Sequence, residues 1–197
     1  MDRRGFVLGL IALPLWRPAE AAPPASVPFA PVLPGRRLVF PADHGAHPDF
    51  RTEWWYVTGW LTLPDRRPLG FQTTFFRIRT GLGEDNPSAF SPRQLVMAHG
   101  AIADPQLGRL RHAERAARTG LGRAGFETTA CRVWVGDWQF ALEEGRYHAR
   151  VRGEDFAYAL RFTPDGPPLL NGAAGFSAKA ADARHASYYY SRPGLGV

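Results

Sequence analysis

Glu53 sits in a run of aromatic and β-branched residues, Thr52-Glu53-Trp54-Trp55-Tyr56-Val57-Thr58-Gly59-Trp60-Leu61, and that company decides what chemistry it could do. A carboxyl group held in apolar surroundings loses the solvation of its charged form and stays protonated to higher pH, so it can donate a proton. Aromatic faces beside it, tryptophan above all, attract a cation through the ring quadrupole. An acid among aromatic rings is therefore equipment for protonating carbon and holding the cation that results. The competing reading is structural: Glu53 neutralises an arginine, Arg51 being nearest and Arg77 the other candidate, while the tryptophans fill a core. His99, within Gln94-Leu95-Val96-Met97-Ala98-His99-Gly100, is the second catalytic candidate, weighed against a histidine satisfied in a core. Asp43, His44 and His47 are metal-ligand types, but their irregular spacing in a Pro/Gly turn matches no metal motif, and no metal is expected. Proton transfer of this kind demands no cofactor.

These groups need elements to position them. The density of aromatic and β-branched residues around Glu53 predicts a strand, whose side chains alternate between two faces. Trp54, Tyr56, Thr58 and Trp60 share one face; Arg51, Glu53, Trp55, Val57 and Leu61 share the other. Pro64-Asp65-Arg66-Arg67-Pro68 turns the chain into a second strand, Leu69 to Thr80, and the two read as a β-hairpin. That strand sets Phe71, Thr73, Phe75 and Arg77 against Gln72, Thr74, Phe76 and Ile78. Gln94 to Asp104 is a third strand, with His99 on the face of Leu95, Met97 and Ala101. Leu110 to Arg118 has helical composition and predicts a short helix with a solvated charged face. Strand signals return at Thr128–Val135, Trp138–Leu142, Tyr147–Arg152 and Phe156–Thr163. Leu169 to Lys179 is Gly-rich and reads as irregular, and a last strand starts at Ser187. Short strands with turns every 8–12 residues, and no helix long enough for a parallel crossover, predict an all-β antiparallel barrel or sandwich with little helix.

At 197 residues the chain suits one domain with its own core. The formal charge is +6, carried almost wholly by arginine, with Lys179 the one lysine. The arginines are interleaved with acids along the chain, which argues against a nucleic-acid partner. A lone cysteine, Cys131, excludes an intrachain disulfide and a cysteine metal cluster. Residues 1–22 read as an export signal: Arg3-Arg4 of twin-arginine type, an apolar run from Phe6 to Trp16, and Ala19-Glu20-Ala21 as a cleavage site. That apolar run is too short to span a bilayer, so no membrane span is expected once the signal is removed. A Pro/Ala-rich lead-in occupies 23–36 and the folded domain 37–197, with a periplasmic or otherwise exported location expected.

Several blocks together carry a resemblance. His44-Gly45, Phe50-Arg51-Thr52-Glu53-Trp54-Trp55-Tyr56, Gly70-Phe71-Gln72, Phe75-Phe76-Arg77, Ser91-Pro92-Arg93-Gln94, Ala98-His99, Ala113-Glu114-Arg115 and Ser187-Tyr188-Tyr189-Tyr190-Ser191 occur in order. This pattern resembles the lipocalin-like carotenoid 1,2-hydratase (hydroxyneurosporene synthase) family. The resemblance implies a lipocalin-like barrel, a cofactor-independent hydratase, lyase or cyclase, and an apolar polyunsaturated substrate such as a carotenoid. It implies catalytic roles for Glu53 and His99, and ligand contacts from Trp54, Tyr56, Gln72, Arg77 and Tyr189. Members of that family typically continue into a second barrel with a DHEW-type block, so the chain reads as the first barrel, with the second as its missing partner. The alternative function is a non-catalytic barrel that binds or carries a hydrophobic ligand. An acid inside the apolar cavity separates the two, because an enzyme needs one and a carrier does not.

Overall fold

The computed structural model describes residues 29–182 and 185–197; the expected export signal and most of the lead-in lie outside them. The described chain is built from fourteen strands and one short 3₁₀ turn, Ala42–His44, with no α-helix. No described helix is long and apolar enough to cross a membrane. The long strands are β1 (Thr52–Thr62), β2 (Pro68–Arg79), β3 (Gln94–Asp104) and β4 (Arg109–Arg118), which form a four-stranded antiparallel sheet in that order. A second antiparallel sheet follows from β5 (Ala124–Phe126), β6 (Arg132–Val135), β7 (Trp138–Glu143), β8 (Arg146–Arg152) and β9 (Ala157–Pro164). Between it and the C-terminus run β10 (Leu169–Leu170), β11 (Phe176–Ala178), β12 (Ala186–Tyr188), β13 (Tyr190–Ser191) and β14 (Leu195–Gly196). Strand β14 joins the outer edge of β9, giving a six-stranded sheet, while β10–β13 and β11–β12 make small ladders of their own.

Period-two burial explains why these segments are strands. Along β2 the inward-facing residues Phe71, Thr73, Phe75 and Arg77 are all buried, and along β3 so are Val96, Ala98, Gly100 and Ile102. They meet Val133, Trp138, Phe140, Ala149, Val151 and Phe162 of the second sheet in one core. Phe71 stacks on Phe162 at 5.6 Å between ring centroids. The sheets approach closely at Gly100, where a Cβ would stand 2.4 Å from Val151 Cγ1. The result is the expected antiparallel lipocalin-like sandwich, closed at the corner where β3 and β4 meet β5 and β6.

Leu110–Arg118 is not a helix. It is the body of β4, paired with β3 from Asp104↔Arg109 to Leu95↔Arg118. Its helix-favouring residues also alternate: Ala113 and Ala117 pack against the core, Arg115 on the same face lies over the Trp138 ring, and Glu114 between them is exposed. Partnership with a strand of equal length outweighs an intrinsic preference worth a few tenths of a kcal/mol per residue. The strand expected from Thr128 starts only at Arg132, and β5 was not anticipated. The Gly-rich stretch 169–179 contains β10 and β11, and the tyrosine strand is broken at Tyr189 into β12 and β13.

Candidate functional site

The four-stranded sheet ends at β1, whose second edge pairs with no strand among the described residues, and the six-stranded sheet ends at β14. Between them lies a cavity of about 1020 Å³, lined by both faces of β1, by Phe71, Cys131, Phe140, Tyr147 and Phe162 of the core, and by the segment 186–193. That volume reaches the upper end of what small-molecule sites use, and its lining is mainly apolar and aromatic with a few polar groups.

Arg77 organises the wall. It lies directly across the ladder from Glu53 and is fully buried. Its Nε donates to Glu53 Oε2 at 3.0 Å, and its Nη1 to Gln94 Oε1 at 2.9 Å and Pro48 O at 3.4 Å. Its Nη2 donates to His47 O at 3.1 Å and Phe50 O at 2.9 Å. One guanidinium thus folds the loop before β1 back over the sheet edge. Burial pulls the Arg77 pKa below the usual arginine value, and Glu53 works against that pull.

The folded-back loop delivers a group that sequence reasoning set aside. His47 Nδ1 lies 2.7 Å from Glu53 Oε1 and its Nε2 lies 2.9 Å from Asp43 Oδ1. Carboxylates only accept hydrogen bonds, so both ring nitrogens carry protons and His47 is an imidazolium. The hydrogen bond to Glu53 raises the His47 pKa more than burial lowers it, and Asp43 adds to the rise. Burial pushes the Asp43 carboxyl up, but the Val39 N–H, His47 and Arg36 together hold it below the usual range. Arg36, Asp43, His47, Glu53 and Arg77 therefore form one connected chain of charge.

The opposite part of the lining is aromatic. Tyr56 and Tyr189 share a hydrogen bond of 2.5 Å between their hydroxyls, and Trp54 lies 6.4 Å from the Tyr189 ring. The Tyr56 hydrogen bond, with burial, pushes the Tyr189 hydroxyl up to about 12. Deeper in, Tyr190 OH lies 3.1 Å from His44 Nδ1. Burial raises the Tyr190 pKa and lowers that of His44, with the Arg192 charge also lowering the latter, so both shifts favour the uncharged forms.

A family profile described as AttH-like matches residues 31–197. The chain belongs to the AttH-like family. An AttH-type protein of Nitrosomonas europaea, solved by crystallography, is 49% identical to it and superposes with a TM-score of 0.77 over 85% of this chain and 50% of that one. The chain thus spans about half the length of that relative. No functionally curated protein matches the sequence.

The AttH-like domain brings only part of the expected site together. Glu53, Trp54, Tyr56 and Tyr189 all line the cavity. Arg77 does not reach it, because every nitrogen of its side chain is spent on Glu53, Gln94 and the loop carbonyls. The partner of Glu53 is Arg77 and not Arg51, which is exposed and sits over the Phe29 ring. Gln72 is exposed on the outer face, with its amide on Thr74 Oγ1 at 3.3 Å. His99 is on that outer face too, 5.6 Å from the Phe76 ring, while its neighbours Ala98 and Gly100 face the core. Glu53 and His99 therefore lie on opposite faces of the sheet. Asp43, His47, His44 and Tyr190 were missed as a site, and the signal available was the proximity of Asp43 and His47 to Glu53 in sequence.

Two of the six histidines, His44 and His47, together favour a stability maximum near the ordinary imidazole pKa of about 6.5. His47 is raised, so its contribution is complete below about 6.5 and is lost as pH climbs through its folded pKa. His44 is lowered, so its contribution is complete above about 6.5 and is lost as pH falls toward its folded pKa. Urea unfolding across this window should show both limbs. His47→Gln should flatten the alkaline limb alone, and an unchanged alkaline slope in that variant would contradict the imidazolium assignment.

Proposed function

We propose that this AttH-like domain binds an elongated apolar molecule in the cavity along the free edge of β1. The observation that carries this reading is the state of the cavity's acids. Asp43 and Glu53 are the carboxylates among its lining side chains, and both are committed to ion pairs. Neither is left free to serve as the proton donor that alkene protonation by a carboxyl group requires. What the cavity offers a ligand is aromatic and aliphatic surface from Trp54, Trp55, Val57 and Phe140, rimmed by tyrosine hydroxyls. Titrating the purified protein with a soluble polyene should quench tryptophan fluorescence saturably. Trp54→Ala should weaken that binding roughly tenfold to a hundredfold, since removing an aromatic contact costs about 1.5–3 kcal/mol. Absence of saturable quenching would rule the reading out.

One observation supports hydratase chemistry as the second reading, in line with the family that the sequence resembles. His47, an imidazolium by its hydrogen bonds, is at the cavity wall. In that reaction the proton adds to one alkene carbon, aromatic faces hold the cation on the other, and water attacks it and releases a proton, leaving an alcohol. Incubation with an acyclic carotenoid, followed by chromatography for the alcohol, tests it directly.

A further inference from the structure

Three buried side-chain polar atoms among the described residues lack a hydrogen-bond partner: Arg111 Nε, Ser187 Oγ and Arg192 Nε. Two of the three residues, Ser187 and Arg192, line the cavity. Buried polar atoms without a partner are uncommon in folded proteins, because leaving one unsatisfied forfeits its solvation with no return. Arg192 is also without an ion pair to any carboxylate among the described residues, unlike Arg36 and Arg77, the arginines that hold the wall. Its guanidinium carbon sits 5.8 Å from the centre of the Tyr147 ring, which faces the cavity from the core side. The lining as a whole is electropositive: Arg36, His47, Arg51 and Arg192 stand against the two carboxylates Asp43 and Glu53. Those two carboxylates are already engaged by Arg36, His47 and the buried Arg77, so no described side-chain carboxylate of the wall is left to balance Arg192.

We propose that Arg192 is the anchor for an anionic head group, and that the cavity's ligand is a long-chain carboxylate amphiphile rather than a neutral hydrocarbon. This rests on the cavity reading above and narrows it to a ligand class. The carboxylate accepts from the Arg192 guanidinium, whose fork suits a planar two-oxygen acceptor. The Ser187 hydroxyl supplies a further donor on the same lining. The alkyl chain lies against the aromatic surface of β1.

Calorimetric titration with dodecanoate, dodecanol and dodecyltrimethylammonium, all below their aggregation concentrations, varies the head group on one tail. Dodecanoate should bind at least about tenfold more tightly than dodecanol, and the ammonium least tightly of the three. Arg192→Gln should bring dodecanoate down to the affinity of dodecanol while leaving dodecanol unchanged, and Arg192→Lys should keep most of the preference. Equal binding of dodecanoate and dodecanol by the native protein overturns the head-group assignment and leaves the cavity reading standing. Binding of none of the three overturns both. Loss of dodecanol binding in both Arg192 variants, with a lowered melting temperature, assigns Arg192 to packing and also overturns the proposal.

Discussion

Glu53→Gln is expected to lower the melting temperature by on the order of 10 °C, a larger effect than loss of an exposed carboxylate would produce. The amide keeps the shape of the carboxylate but not its charge, and Arg77 across the ladder is fully buried. Breaking a buried ion pair from one side costs about 3–5 kcal/mol, since the other charge is stranded. In a domain of this size each kcal/mol moves the midpoint by roughly 2–4 °C. Glu53 also accepts from the His47 backbone N–H at 2.8 Å and from its ring at 2.7 Å, so the loop before β1 loosens with the pair. Removing both charges in Glu53→Gln/Arg77→Met should recover part of the loss, but not all, because the carbonyls of His47, Pro48 and Phe50 lose their donor. Differential scanning calorimetry reads the series. A melting temperature within a degree or two of the native value, alongside lost turnover, would show that Glu53 serves chemistry and not the frame.

The second large effect is expected at Gly45, where Gly45→Ala should cost about 3 kcal/mol, the upper end for forcing extra volume into a packed site. Its backbone is extended and negative in φ, so conformation is not the constraint. Space is. A Cβ at this position would stand 2.0 Å from Thr128 O and 2.5 Å from Thr128 C. These are main-chain atoms, which cannot rotate away as a side chain could. Relief requires separating the 3₁₀ turn from the stretch after β5, which breaks the Ala46 N–H bond to Glu127 O at 2.8 Å. Asp43 and His47 ride on the same turn and loop, so ligand affinity should fall along with stability. Gly166→Ala is the control: nothing lies within 4 Å of the added atom, and a change within about ±0.5 kcal/mol is expected. A Gly45→Ala protein that unfolds in urea with Gly166→Ala would remove the close contact from the account.

How legible the site was depended on the range of the contacts that make it. The hairpin of β1 and β2 was readable because alternation and a Pro-Asp-Arg-Arg-Pro turn are local signals. The same alternation placed Glu53 on the face of Trp55 and Val57, and it demanded a partner for the carboxylate. It could not say which arginine. Arg51 is two residues away in sequence, but Arg77 is the one the antiparallel register places opposite Glu53. His99 was drawn toward the site by the block it occupies, yet the period of two puts it on the outer face whenever Ala98 and Gly100 face the core. In β4 the composition favoured a helix, and only the length of β3 beside it reversed that preference.

By itself the sequence determined the all-β class, the facing of β1 and β2, and the need to neutralise Glu53. Each follows from side-chain alternation, turn chemistry and the cost of burying a charge, and none requires knowing what lies elsewhere. Tertiary structure decided the rest: the choice of Arg77, the seating of His47 between two carboxylates, and the meeting of Tyr56 with Tyr189. It also left Arg192 Nε without a hydrogen-bond partner among the described residues, beside the same cavity. These depend on contacts between residues far apart in the chain, such as Tyr56 with Tyr189 and His44 with Tyr190. The pairing of the two sheets and the course of the C-terminal segment create those contacts, and no local pattern of residue types encodes them.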